Sequence, residues 1–203
     1  MLALMARQTN TNLLKFQAAT ASRWADLEDL FGERGACGGC WCMFWRVPRK
    51  EFDAGKGMRN KRALKNIVTT GQKPGIIAYI GKEPIGWCAI APREHYVALE
   101  RSRILKPIDD KPVWSVSCLF VKKLYRRKGI SAQLLRAAVG FAASQGAVIV
   151  EGYPVEPTME KMPDPFLWHG VHSAFKAAGF KEALRRSKSR PIMRFEIEAW
   201  SFR

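Results

Sequence analysis

The sequence has no stretch long and apolar enough to cross a membrane. Its longest aliphatic runs, such as Gly75 to Ile80 and Ala147 to Val150, are strand-sized, far short of the roughly 20 residues that a spanning helix needs. Acidic side chains are scarce: 18 Asp and Glu stand against 34 Lys and Arg, a formal charge of +16. A field of that sign gathers anions, whether nucleic acid, acidic membrane or a polyphosphate ligand, and charge alone does not choose among them. Internal repeats and low-complexity segments are absent. Five cysteines, an odd number, come without an export signal, so reduced thiols in the cytoplasm are the simplest expectation. No acid precedes Asp26, and this basic start faintly resembles a transit peptide. The apolar segment Met1 to Met5 is too short for a secretory core, however. Residues 1–20 therefore read as a flexible N-terminal extension and 21–203 as one domain, long enough to bury a sizeable core.

The periodicity predicts helices over Ser22 to Glu33 and Met58 to Thr70, each with one apolar face and a glycine just beyond its end. The apolar runs Gly75 to Ile80 and Pro84 to Ile90, parted by Gly81-Lys82-Glu83, predict an antiparallel hairpin. Further strands are expected at Trp41 to Trp45, Val113 to Val121, Val148 to Tyr153, Phe180 to Arg186 and Ile192 to Ala199. Helices are expected at Tyr96 to Leu105, Ser131 to Ser144 and the second half of 166–178, with a proline-rich loop over Pro154 to Pro165. Hairpins combined with one strand–helix–strand unit suggest an α+β or mixed α/β sheet.

The informative segment is Leu119-Phe120-Val121, then Lys122 to Lys128, then Gly129-Ile130-Ser131-Ala132. A strand ends, a basic loop follows, and a helix begins. A helix N-terminus offers unpaired N–H groups and the positive end of the macrodipole, which together attract phosphate. Gly129 lets the backbone approach such a ligand. Arg126, Arg127 and Lys128 add countercharge, and Ser131 can cap the helix or add a hydroxyl.

This segment resembles the acyl-CoA pyrophosphate loop of the GNAT acetyltransferase superfamily, whose pattern is Arg or Gln, two residues, Gly, one residue, then Gly or Ala. Arg126 and Gly129 match it, and Ser131 departs from it at the last position. Ala178-Gly179-Phe180 resembles the Gly-Phe pair that follows the family's last core helix, and the element order after about residue 20 is also similar. The resemblance implies a GNAT-like, mostly antiparallel mixed sheet of six to seven strands flanked by helices. Two splayed parallel strands, Val113 to Val121 and Ala147 to Tyr153, would hold acetyl-CoA between them, with no metal required. An amine of a small molecule or peptide would attack the thioester directly, the protein supplying alignment and hydrogen bonds to the developing oxyanion. By position Leu119 and Val121 would meet the pantetheine arm, Leu119 being the expected oxyanion donor. The family often forms homodimers. Bacterial GNAT-like proteins with a stretch similar to Cys40 to Arg46 and a segment similar to Glu151 to Val155 suggest a distinct subfamily without naming an acceptor.

The proton-transfer groups are less determined. Many family members carry Tyr four residues before the glycine of the Gly-Phe pair; here that residue is Phe175, which cannot donate a proton. Tyr153, His172 or Ser173 could replace it, or no acid may be required because CoA thiolate is a fair leaving group. For the base, Glu151 interrupts an apolar strand, where burial would raise its pKa; the alternatives are an outward-facing Glu or one paired with Arg. His172 is the second candidate base. Cys118 is a nucleophile or an inert buried thiol.

Cys37, Cys40 and Cys42 lie within six residues and could bind zinc with His95 or His169. The alternatives are a redox pair, or a glycine turn leading into buried side chains. In GNAT-like proteins the segment after the first helix borders the acceptor cleft, so Trp41, Phe44 and Trp45 either line the substrate pocket or belong to the core. Two other functions stay open: a basic nucleic-acid or ribosome-associated module, suggested by the charge and by Arg185 to Arg190, and an acyl-CoA-binding regulator without catalysis.

Overall fold

The computed structural model describes residues 14–156 and 167–197. The N-terminal 13 residues, most of the expected proline-rich loop and the expected end of the last strand at Ala199 lie outside these ranges. Seven strands form one sheet in the order β1-β2-β3-β4-β5-β7-β6. They are β1 (Leu14–Ala18), β2 (Gly75–Ile80), β3 (Glu83–Pro92), β4 (Trp114–Val121), β5 (Ile149–Gly152), β6 (Lys181–Arg185) and β7 (Pro191–Glu196). Every neighbouring pair is antiparallel except β4 and β5. The helices are α1 (Trp24–Phe31), α2 (Arg49–Gly55), α3 (Met58–Thr69), α4 (Val97–Glu100), α5 (Ile130–Ser144) and α6 (His172–Ala178). Among the described residues no helix is long and apolar enough to span a membrane.

Both faces of the sheet are covered, which is why β2 and β3 read as continuous apolar runs. On one face Leu134, Leu135, Ala138 and Ala142 of α5 pack with Phe175 of α6 against Ile76, Ile85, Val116, Leu119 and Val121. On the other, Trp24, Leu27, Leu30 and Phe31 of α1 join Leu64 and Val68 of α3 over Ile77, Trp87 and Cys118. A third cluster, at one end, joins Tyr96, Leu99 and Leu105 to Tyr153 and Ile192.

Three local expectations are corrected. Residues 14–18, placed in an N-terminal extension, form edge strand β1, each paired with β2. Trp41 to Trp45 is a series of turns rather than a strand. Trp41 and Cys42 both have positive φ, 44° and 53°, which an extended strand does not allow. Arg49–Gly55 is a short helix that the periodicity did not predict, and the helix expected over Tyr96 to Leu105 is confined to Val97–Glu100.

Candidate active site

The parallel pairing of β4 with β5 is brief. It joins Trp114 to Val150, Ser115 to Glu151 and Val116 to Gly152. β5 then ends while β4 continues to Val121, so the two strands part at the middle of the sheet. The register of β4 against β3 slips at the same place: Ala89 faces Cys118 but Ile90 faces Val116, leaving Ser117 as an extra residue. This bulge changes the side-chain parity, so Val116 and then Leu119 and Val121 face the α5 side, while Cys118 and Phe120 face α1. A wedge-shaped gap at a bulged central strand is a place where a ligand can reach backbone N–H groups.

One side of this gap leads to the basic loop. Arg126 donates from Nε to the Val121 carbonyl at 2.8 Å, folding the loop back onto its strand. Gly129 is the residue before α5 and has φ +73°, the left-handed conformation that favours glycine; the space a Cβ would occupy is open. α5 has no side-chain N-cap and no acid in its first turn. Among the described residues, then, no side chain caps the amides of Ile130, Ser131 and Ala132, which carry the partial positive charge of a 15-residue helix. Arg127 also has positive φ, 59°, in keeping with a sharply turned loop. A basic loop leading into such a helix N-terminus could hold an anionic group.

Leu119, the expected oxyanion donor, is already engaged. Its N–H donates to the Trp168 carbonyl at 2.7 Å. Residues 168–170 thus lie against the free half of β4, and a Cβ on Gly170 (φ +81°) would come within 2.6 Å of Leu119 Cδ1.

Glu151 and Tyr153 come together, but in a closed network. The Glu151 carboxylate is 1% exposed. It accepts from Arg93 Nη1 at 3.2 Å, Arg194 Nε at 2.8 Å and the Tyr153 hydroxyl at 2.7 Å. The Tyr153 oxygen also lies 2.8 Å from Ser115 Oγ and accepts from Arg93 Nη1 at 2.5 Å. Arg93 completes its bonds to Glu100 and the Leu105 carbonyl, and Arg194 grips Asp109 with both terminal nitrogens. Burial, then the Glu151 charge, push the Tyr153 hydroxyl well above the ordinary phenol range. Glu151 is thus the Arg-paired carboxylate rather than a partnerless base, and the Tyr153 hydroxyl is committed to the same network. His172 turns elsewhere: its Nδ1 is 3.4 Å from Glu156, on the side of edge strand β6.

Phe175 is fully buried against Phe180, and the backbones of Gly152 and Gly170 leave just the room its ring takes. Trp41 is core: it is 2% exposed and packs on Trp24 and Phe31. Phe44 and Trp45 are half-buried and meet Trp168, with ring centroids 5.1 and 6.3 Å away. Cys40 and Cys42 lie against each other, with Cys42 also meeting Cys118, whereas Cys37 stands apart. Cys37 is exposed, Cys40 donates to the Gly35 carbonyl, and Cys42 is buried beneath Trp87 Nε1 at 3.2 Å. A hydrogen bond with Cys118, then burial, push the Cys42 thiol well above its usual range. Among the described residues no group of three or more His, Cys, Asp or Glu is placed to hold a metal ion.

Sequence reasoning considered His169 solely as a zinc ligand. It is 3% exposed, stacks on Trp168 at 3.6 Å between ring centroids and lies 5.5 Å from Trp45. Among the described residues its Nδ1 is buried without a partner. Burial, with a contribution from Arg190, holds its pKa well below the usual imidazole value. The neutral ring thus sits where the turns after α1, the turn before β7 and the segment bonded to β4 converge. Its one distinguishing signal in the sequence is that it is one of three histidines.

The model of a family described as the Acetyltransferase (GNAT) family matches residues 41–157. No curated protein matches the chain. Solved structures share the fold at low identity. A PaiA N-acetyltransferase from Thermoplasma acidophilum in complex with coenzyme A is 16% identical, with a TM-score of 0.52 over 91% of this chain and 99% of that one. A ribosomal-protein-S5-alanine acetyltransferase from Vibrio fischeri is 13% identical, with a TM-score of 0.52 over 93% and 95%. A mosquito arylalkylamine N-acetyltransferase-like protein is 12% identical, with a TM-score of 0.56 over 91% and 100%.

Proposed function

The chain belongs to the GNAT acetyltransferase family, and from that premise we propose that it is an acetyl-CoA-dependent N-acetyltransferase acting on an amine in a ternary complex. The observation that carries this reading is the junction of β4 with α5: a bulged strand parted from its parallel neighbour, leading through a basic loop and a left-handed Gly129 into an uncapped helix N-terminus. The amides of Ile130, Ser131 and Ala132, with Arg126, Arg127 and Lys128, would hold the CoA pyrophosphate. Leu119, Phe120 and Val121 would line the pantetheine arm. Binding would exchange the Trp168 carbonyl for the ligand at the Leu119 N–H, so that the same donor then stabilises the oxyanion.

The acceptor must attack as a free amine, because ammonium has no lone pair. The C–N bond forms as the C–S electron pair leaves with CoA sulfur, and the amine proton goes to a base. Among the described residues His169 Nδ1 has no partner, whereas Glu151 and His172 are engaged, and the ring is bracketed by Trp45 and Trp168, so it is the candidate for that proton; the bound acceptor would have to stabilise the imidazolium that burial disfavours. Phe44 and Trp45 would form the adjoining apolar wall.

Release of CoA thiol, followed with a panel of small-molecule and peptide amines, tests the reading. Acceptor-dependent release supports it. Saturable acetyl-CoA binding with no release across the panel favours the second reading, a CoA-binding regulator, which draws on the buried Phe175 and the occupied Leu119 donor.

A further inference from the structure

Arg46 is a buried cation that no acid among the described residues neutralises. It is 9% exposed, and its Nε is buried without a hydrogen-bond partner among the described residues. Its guanidinium lies 4.7 Å above the Tyr96 ring, and Nη2 reaches the Tyr96 hydroxyl at a long 3.4 Å. Among the described residues no Asp or Glu pairs with it, whereas Arg93 and Arg194 each hold carboxylates. An unpaired buried guanidinium is costly, and a π face compensates for it less well than a carboxylate does.

Arg46 also lines a cavity of about 370 Å³ between the turns after α1, helix α3 and the end of β3. Val47 and Ile67 form its apolar wall, and Asn66, Gln72 and His95 bring hydrogen-bonding groups; among the described residues no acid lines it. A volume of this order is in the range of small-ligand sites, about 300–1,000 Å³. The cavity is tied to the gap in the sheet. The Tyr96 side chain that meets Arg46 also interacts with Ser117, the extra residue of the β4 bulge. Trp45, the neighbour of Arg46, likewise has a buried Nε1 without a partner.

We propose that this cavity is an anion subsite in which Arg46 holds a carboxylate of the acceptor, so that the amines this protein acetylates are carboxylate-bearing ones such as amino acids or related compounds. The inference rests on the acetyltransferase reading for the word acceptor; the anion subsite itself does not. A single guanidinium with amide and imidazole neighbours matches a planar monoanion. A phosphate dianion would need more countercharge than the cavity offers.

Direct binding separates the two layers. Wild type, Arg46→Gln and Arg46→Lys, each verified as folded by circular dichroism, are titrated by calorimetry in the presence of CoA. The probes are N-acetyl amino acids of several side-chain types, the matching N-acetyl amino amides, and inorganic phosphate. Carboxylates should bind wild type at least tenfold more tightly than their amides. Arg46→Gln should lose that preference, and Arg46→Lys should keep part of it. Equal binding of acid and amide, no carboxylate binding to folded wild type, or phosphate bound more tightly than every carboxylate would each overturn the proposal. Turnover adds a KM-against-kcat split: Arg46→Gln should raise the acceptor KM and leave the acetyl-CoA KM unchanged. Thiol release with amines lacking a carboxylate, without Arg46-dependent anion binding, would leave an acetyltransferase and remove this subsite. Arg46-dependent carboxylate binding without thiol release from any amine would keep the subsite and remove the acetyltransferase.

Discussion

Replacing Glu151 discriminates between a structural carboxylate and a catalytic one. In the structure it is buried and shared by Arg93 and Arg194, and it accepts from Tyr153. Removing one partner of such a network leaves a buried charge uncompensated, at a cost of about 3–5 kcal/mol. Arg194 retains Asp109, and Arg93 retains the half-exposed Glu100, so the lower part of that range is expected for Glu151→Ala. For a domain of this size each kcal/mol moves the melting temperature by about 2–4 °C, so the transition should fall by roughly 6–15 °C. Glu151→Gln keeps the shape but presents an NH2 group to a guanidinium, and should lose about 1.5–3 kcal/mol. The double variant Arg93→Met/Glu151→Leu should be less damaged than the sum of its single changes, because it removes both charges together. Thermal and urea unfolding followed by circular dichroism measure all three, together with the single changes Arg93→Met and Glu151→Leu, with thiol release measured well below each midpoint. A Glu151→Gln protein that melts like wild type while turnover collapses a hundredfold would refute the structural assignment and make Glu151 the base.

Phe175→Tyr should not create a proton donor: the ring is packed against Gly152 and Gly170, so the added hydroxyl should lower stability by about 1–3 kcal/mol in urea titrations. A rise in kcat at unchanged stability would contradict this. His169 gives stability a definite pH dependence. Its folded pKa is depressed by burial, so below the unfolded value of about 6.5 the unfolded chain takes up a proton that the native site refuses. Its contribution is therefore complete above that pH and is lost as pH falls towards the depressed value; His169→Gln should flatten the slope of unfolding free energy between pH 5 and 7. The thiols should react in the order of their exposure. Ellman's reagent should modify exposed Cys37 rapidly and Cys40 slowly, reaching buried Cys42, Cys88 and Cys118 on unfolding; fast titration of all five would contradict the packing.

The helix at the candidate CoA loop was legible because three independent features agree there: a β-branched strand, a basic turn with glycine, and a helical apolar period from Leu134 onward. The central hairpin was legible for the same kind of reason. β1 is hard to read from the sequence although Leu14, Phe16 and Ala18 alternate with Lys15 and Gln17; at an edge such alternation is short, and next to acid-free, basic neighbours it reads as part of a tail. Trp41 to Trp45 misled because aromatic content suggests a strand, whereas the backbone turns through left-handed residues that composition does not reveal. The Arg93–Glu151–Tyr153 network joins residues about sixty positions apart. Neither that pairing nor the absence of an acid beside Arg46 is a local property of the sequence, and both emerge only when the strands are placed side by side.

The central claim is that the β4–α5 junction binds acetyl-CoA, and calorimetric titration tests it most directly. Gly129→Glu places a carboxylate and a left-handed non-glycine residue at the helix N-terminus while the surrounding space stays open, so the fold should survive and the anion site should not. Saturable one-to-one binding to wild type, lost in Gly129→Glu with melting close to that of wild type, is the predicted result. Folded wild type that takes up no acetyl-CoA at millimolar concentration, or a variant that binds it unchanged, would contradict the account.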